Sequence, residues 1–442
     1  MKQKLSNAQQ NFLQRRYAVS LGRRYVLAAA SVMLMGVIGC SQVNESKSAL
    51  AESPFGQSEL PVSDRAALLD TKLVSANTKF GFNLFSQLLN QDNTKNIFVS
   101  PSSIALALAM TYNGASGSTQ TAMAKALEFQ GMNLQQINSA GAKLKASLEN
   151  PDSKVTLNVA NSLWADKNAS LKPDFIQKNQ QFYQAKVTNL DFARTDAPDK
   201  INNWVKENTQ GKIEKIVDKI DPDQVLFLLN AIYFKGSWTK EFKPEETANF
   251  PFYLLSGQEK QHPMMSQSGD YRYYENAQFQ AVSLPYGDNG RISFYIFLPK
   301  QNSNLNSFYE NLNAANWETW ISQFGKREGF VRLPRFKMDY EATLNDALSA
   351  LGMGEAFRKE ANFSSMGTNL KIGKVKHKTF VEVNEEGTVA AATTSVGIEL
   401  LSAQPPSQQP FEMIVNRPFF CAIRDNQTQS ILFMGSIVEP LT

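Results

Sequence analysis

The chain has 442 residues, 42% of them hydrophobic and 11% aromatic, with 29 Phe, which suffices for a large core and excludes a disordered chain. Its formal charge of +4 rests on Lys2, Lys4, Arg15, Arg16, Arg23 and Arg24; without residues 1–39 the balance is −2, which gives no support to a nucleic-acid partner. Two His and a single Cys beyond Cys40 argue against a zinc site, and no internal repeat is present.

In chain order, Arg23 and Arg24 precede an uncharged run over 25–39, too short to span a bilayer comfortably and flanked like a signal peptide. The run ends Val37-Ile38-Gly39-Cys40-Ser41, which resembles the bacterial lipoprotein box, with Cys40 as the lipid-bearing new N-terminus; a plain secretory signal is the alternative. Arg23-Arg24-Tyr25-Val26-Leu27 also resembles a twin-arginine export motif. These resemblances imply a signal peptide over 1–39 and a flexible tether over 40–72, polar and carrying Pro54, Gly56 and Pro61, before a domain over 73–442. They imply an exported, membrane-anchored lipoprotein, periplasmic or at the cell surface.

From Ala76, the spacing of Phe80, Leu84, Phe85, Leu88 and Leu89 predicts a helix. Residues 104–110 are apolar on every side, so a buried helix is predicted there, stopping near Gly114; serines at its start then need partners. Residues 158–164 predict a strand and 201–216 a helix. Residues 225–234, continuously apolar around Asn230, predict a strand covered on both faces. The tetrad Gly287-Asp288-Asn289-Gly290 predicts a hairpin between strands at 281–284 and 292–298. Leu344, Leu348 and Leu351 predict a helix ending near Gly352, and two strands finish the chain, over 413–423 and 431–435. Helices and strands without regular alternation predict an α+β fold.

The most distinctive stretch begins at Glu385 and Glu386. From Gly387 through Thr388, Val389, Ala390, Ala391, Ala392, Thr393, Thr394, Ser395 and Val396 to Gly397, nothing is charged, proline or larger than valine. A central strand must donate every ladder N–H and fit side chains on both faces, and this stretch can do so. Thr388, Ala390, Ala392 and Thr394 share one side and are all small. Pro405 and Pro406 follow, which is loop chemistry. The segment is therefore suited to be a loop in one state and an inserted strand in another.

Enzyme chemistry is not legible. Only His262 and His377 could serve a triad and neither lies in a catalytic motif; His262, among polar residues, is expected to be solvated. Ser237-Trp238-Thr239-Lys240 has the Ser-x-x-Lys form, but the Lys-Thr-Gly companion of penicillin-interactive enzymes is missing. No phosphate-binding glycine loop occurs, and no cofactor is implied. Cys421, in the apolar run 419–423, is expected to be a packed, inert thiol with no disulfide partner.

The hinge resembles that of the serpins, protease inhibitors that trap their target by loop insertion. The resemblance extends over about 73–442 through Asn96-Ile97-Phe98-Val99-Ser100-Pro101, Asn230-Ala231-Ile232-Tyr233-Phe234-Lys235-Gly236-Ser237-Trp238 and Leu333-Pro334-Arg335-Phe336, in family order. It continues through Leu351-Gly352-Met353-Gly354-Glu355-Ala356-Phe357, Asn416-Arg417-Pro418-Phe419 and Phe433-Met434-Gly435. It implies three β-sheets, about nine helices and an exposed reactive loop able to enter the large central sheet. It also implies a monomeric suicide-substrate inhibitor, not an enzyme, that forms a covalent acyl-enzyme with a chymotrypsin-, elastase- or subtilisin-like protease. Family spacing puts the reactive bond at Leu401-Ser402, with Leu400-Leu401 as the fallback; no Lys or Arg lies between Glu386 and Arg417 to favour a trypsin-like target. Ser100, Ser103, Asn230 and His377 match the family's shutter beneath the sheet, and Trp238 its breach, where the loop first enters. Lys143 and Lys145 alone on the helix after Asn133 argue against heparin-type activation. The alternatives are a non-inhibitory carrier of the same fold or a structural envelope lipoprotein.

Overall fold

The computed structural model describes residues 70–149, 151–221, 224–388 and 409–442. Nine α-helices fall within them: α1 (Thr71–Gln91), α2 (Pro101–Tyr112), α3 (Gly117–Ala126), α4 (Leu134–Leu148), α5 (Pro173–Tyr183), α6 (Ala197–Asn208), α7 (Leu305–Asn311), α8 (Ala314–Ser322) and α9 (Asn345–Leu348). Asp70 caps α1, its carboxylate accepting from the backbone N–H of Lys72, just ahead of the predicted start of the domain. Every residue of α2 is buried, as its unbroken apolar run requires.

The six-stranded sheet has the order β10-β11-β12-β4-β2-β3: β10 (Phe336–Thr343), β11 (Lys374–Val383), β12 (Gly387–Thr388), β4 (Leu226–Ser237), β2 (Val155–Asp166) and β3 (Lys186–Leu190). The nine-stranded network contains β1 (Ile97–Val99), β5 (Ala248–Tyr253), β6 (Glu259–Glu275), β7 (Phe279–Pro285), β8 (Ile292–Pro299), β9 (Gly325–Pro334), β13 (Phe411–Ile414), β14 (Phe419–Asp425) and β15 (Ile431–Ile437). β6 belongs to two bodies of this network. Residues 259–264 pair with β5, residues 264–273 with β9, and residues 272–275 with β7, which leads on to β8, β14, β15 and β1. The fold is thus α+β, with one of the expected three sheets separate and the strands of the other two joined through one long strand. Its main core includes α1, α2, the inner face of the six-stranded sheet and the β8–β14–β15 strands.

Two predicted elements differ in extent. The helix predicted over 201–216 stops at Asn208, because Gln210 and Gly211 adopt left-handed backbone at φ 52° and 77°. Residues 209–221 instead form an irregular strap, whose Ile213, Ile216, Val217 and Ile220 pack in a second core with β2, β4 and α6. The strand predicted over 413–423 is split into β13 and β14, which pair with β9 and β8 respectively. Pro418 lies in the break; it has no N–H to continue a ladder.

Candidate functional site

Strands β4 and β11 run parallel, with seven pairs in register from Lys374–Phe227 to Phe380–Tyr233. Beyond Phe380 and Tyr233 a third segment stands between them. Gly387 and Thr388 of β12 face Ser237 and Gly236 on β4, and Thr388 also faces Val383 on β11. The offset between β4 and β11 is the same across Thr388 as in the seven direct pairs below it. Gly387 and Thr388, which begin the uncharged stretch, therefore already occupy the place of a central strand.

A tight reversal delivers them there. Asn384 Oδ1 accepts from the N–H groups of Glu386 and Gly387 at 3.1 and 3.2 Å, and Asn384 N–H donates to Gly387 O at 2.8 Å. Gly387 has φ 151°, and a Cβ there would lie 2.1 Å from Gly236 O, so only glycine fits. Thr388 is wholly buried, with its Oγ1 2.7 Å from Tyr286 Oη. Trp238 stacks on Tyr286 with ring centroids 4.4 Å apart, and its Nε1–H donates to Asn384 O at 2.9 Å. The backbone N–H groups of Trp238 and Phe242 donate to Glu386 O and Glu385 O. The Glu385 carboxylate accepts from Thr247 Oγ1 at 2.8 Å and lies 3.5 Å from Arg335 Nε. Burial raises the Tyr286 phenol well above its ordinary value, so it stays a neutral partner for Thr388.

Lower on the same seam, Asn230 of β4 lies opposite Asn161 on β2 and His377 on β11. His377 Nδ1–H donates to Asn230 Oδ1 at 2.6 Å, while its Nε2 accepts the Ser100 backbone N–H at 3.2 Å, which fixes a neutral tautomer. Asn230 Nδ2 donates to Asn161 Oδ1 at 2.6 Å and to Ser103 Oγ at the start of α2. Thr379 Oγ1 donates to Phe98 O at 2.7 Å. Burial lowers His377 to about 3. The strand positions bring Ser103, Asn230 and His377 together through side chains. Ser100 joins only through its backbone, and its hydroxyl and Asn161 Nδ2 have no partner among the described residues.

Asn161, Tyr286 and Thr379 were not singled out from sequence. Asn161 carried a signal, since an Asn inside the apolar stretch 159–165 repeats the pattern of Asn230. Tyr286 carried none, because its place under Thr388 is set by the β7–β8 hairpin. Residues Val389, Ala390, Ala391, Ala392, Thr393 and Thr394, the bond Leu401-Ser402, and Cys40 lie outside the described residues.

The remaining chemical candidates resolve simply. His262 is 2% exposed and its Nε2 bonds Arg335 O, so the expected solvated histidine is instead a buried one. Local polarity misled because His262 alternates inward on β6. Lys240 Nζ reaches Ser268 O at 3.2 Å, and Cys421 is wholly buried, with its thiol raised by that burial. No group of three or more His, Cys, Asp or Glu among the described residues could hold a metal.

The model of the Serpin (serine protease inhibitor) family matches residues 75–440. The chain belongs to the serpin family. Serpins act as pseudo-substrates of proteases, so the chain is not a catalyst. It is 36% identical over 384 residues to leukocyte elastase inhibitor A of Mus musculus, covering 84% of this chain and 100% of that one. Among solved structures, tengpin, a thermophilic serpin in its native state, matches with TM-score 0.78 and 33% identity over 84% of this chain and 95% of its own. Human thyroxine-binding globulin complexed with its hormone matches at TM-score 0.76 and 28% identity, over 84% and 99%. Serpin relatives thus include protease inhibitors as well as a binding protein.

These findings correct four expectations. Eight curated relatives that match are from mammals and a tick, including Mus musculus, Bos taurus, Homo sapiens and Ixodes ricinus. They overturn the expectation of a bacterial lipoprotein, and with it the lipid partner through Cys40 and the periplasmic or cell-surface anchoring. No helix among the described residues is long and apolar enough to cross a membrane. The short motif around Cys40 weighed five residues, whereas the relatives weigh several hundred. The expectation of no heparin-type activation is overturned as well, because native protease nexin-1 solved with heparin matches at TM-score 0.74 and 28% identity, over 86% of this chain and 100% of its own. Counting Lys143 and Lys145 on one helix was too local, since basic surfaces are assembled in space.

Proposed function

We propose that residues 73–442 form a suicide-substrate inhibitor of a chymotrypsin-, elastase- or subtilisin-like serine protease. The protease's serine Oγ attacks the Leu401 carbonyl, the peptide bond to Ser402 breaks, and the Ser402 amine leaves. The Leu401 ester remains on the protease. The freed hinge then zips between β4 and β11, carrying the tethered protease away before water cleaves the ester.

One observation carries this reading: Gly387 and Thr388 stand between β4 and β11 in a register that the strands below already share. Insertion needs sideways parting with no sliding. Extended in that register, Thr394 would stand between Asn230 and His377. Its hydroxyl both donates and accepts, so it would replace the bond that parting breaks. A dozen new ladder bonds at about 1 kcal/mol net each, less the ordering cost, are of the right order to drive the change.

The likeness to thyroxine-binding globulin and to uncleaved ovalbumin favours a second reading, a non-inhibitory carrier. The uncharged, proline-free composition of residues 387–397 supports the inhibitor instead. The test is to mix the domain with a panel of serine proteases and resolve the products by denaturing electrophoresis. A covalent complex and a released peptide beginning at Ser402 are expected. Clean cleavage with free active protease, across the panel, would leave the carrier reading.

A further inference from the structure

Arg335 is the one residue between β9 and β10, and it ties β6 to the hinge turn. Its guanidinium Nε lies 3.5 Å from the Glu385 carboxylate, and the next residue, Phe336, pairs with Val383, where β11 runs into that turn. The Arg335 backbone is held by β6. Its N–H donates to Pro263 O at 3.0 Å, and its carbonyl accepts from His262 Nε2–H. Whatever parts His262 from Arg335 therefore also draws the Arg335 side chain away from Glu385.

The surroundings of His262 suit a neutral ring and not a charged one. The ring is buried, stands opposite Phe250 of β5, and has the Arg335 carbonyl as its one hydrogen-bond partner among the described residues. The charged groups that act on it are both cations, Lys260 on its own strand and Arg335 on the facing link. The nearby carboxylates are taken by those cations: Glu439 of the C-terminal tail by Lys260 at 2.8 Å, and Glu385 of the hinge turn by Arg335. Burial and the two cations hold His262 below its ordinary value, against the pull of the Arg335 carbonyl. A second proton, on Nδ1, adds a third positive charge to a site with no anion of its own. The ring can carry it by turning out to water, and that gives up Arg335 O.

We infer that His262 is an acid-sensitive latch on the hinge turn: when it takes up a proton, the β9–β10 link leaves β6 and Glu385 loses its cation. The folded site refuses a proton that a freed histidine accepts. The latch is therefore complete above about pH 6.5 and weakens as pH falls below it. It belongs to the intact protein and bears on inhibition only through the insertion proposed above.

Hydrogen exchange of the intact protein tests the latch without any protease, so its failure is distinct from failure of the inhibitory reading. The amides of Glu386, Gly387, Trp238 and Phe242, all bonded within or onto the hinge turn, are followed from about pH 7 to 5. Each rate is divided by that of an unstructured peptide at the same pH, which leaves the opening of the turn. In the wild type this opening is expected to rise by up to about tenfold per pH unit below 6.5. His262→Gln keeps an amide donor for Arg335 O and cannot titrate, so its opening should not change with pH. Arg335→Met, which keeps the backbone bonds and loses the cation, should open the turn at every pH and flatten the profile. His377→Gln should keep the rise, because His377 bonds Asn230 and Ser100 and not Arg335. A wild type without the rise, the same rise in His262→Gln, or its loss in His377→Gln alone would overturn the inference.

Discussion

The Oγ1 of Thr388 sits 2.7 Å from Tyr286 Oη, in a position with no exposure to solvent. The hinge thus enters the sheet with its first inward side chain already paired. Beside it, Trp238 lies flat on Tyr286 and donates to Asn384 O, so sheet, hinge turn and core share one small polar and aromatic contact.

Thr388→Arg would put a cation where a small hydroxyl is wholly buried, at a cost of several kcal/mol unless the hinge leaves the sheet. The variant is expected to be cut normally but to yield little covalent complex. Partition between complex and cleaved product, read by densitometry, checks this. Tyr286→Phe removes only the partner and is expected to lower stability by about 1 kcal/mol in a denaturant titration.

The proposed register makes a distinction between neighbours. Thr394→Val leaves Asn230 and His377 without a replacement partner after insertion and should raise the fraction of protease that escapes. Thr393→Val, on the opposite face, should not. Equal stoichiometry of inhibition for the two variants would contradict the register.

His377 gives a pH dependence. Its folded pKa of about 3 lies below the ordinary 6.5, so the unfolded chain takes up a proton that the folded chain refuses. Stability is therefore complete above about pH 6.5 and falls as pH drops towards 3, by about 1.4 kcal/mol per unit from this one group. His377→Gln should flatten that slope in denaturant titrations between about pH 6.5 and 4. An unchanged slope would place the proton uptake elsewhere.

Glu385 is 8% exposed and tied to Thr247 and Arg335, at the point where the hinge turn meets the other sheet. Glu385→Lys would set two cations together there and lose the Thr247 acceptor. A loss of about 1–3 kcal/mol is expected, larger than for Glu385→Gln, which keeps an acceptor; paired thermal melts compare them.

Much of this was legible in the sequence for physical reasons. An apolar run all round α2 has one solution, burial, and the Gly387 hinge is defined by what it lacks. Family order singled out Ser103, Asn230 and His377, whose side chains meet, but Asn161 needed the β2–β4 register to be seen beside Asn230. The break after Asn208 hid because left-handed Gln210 interrupts an apolar period that continues beyond it. His262 misled because exposure depends on strand alternation, and its polar neighbours say little of where its ring points.

The most direct measurement compares the melting temperature of intact protein with that of protein cleaved in the loop by a non-target protease. If residues beyond Thr388 become a strand between β4 and β11, the cleaved form gains ladder bonds and burial and should melt far above the intact form. Thr388→Arg should blunt that gain. Ordinary nicking of a surface loop adds only chain freedom. A cleaved form that melts at or below the intact one would contradict insertion at this seam.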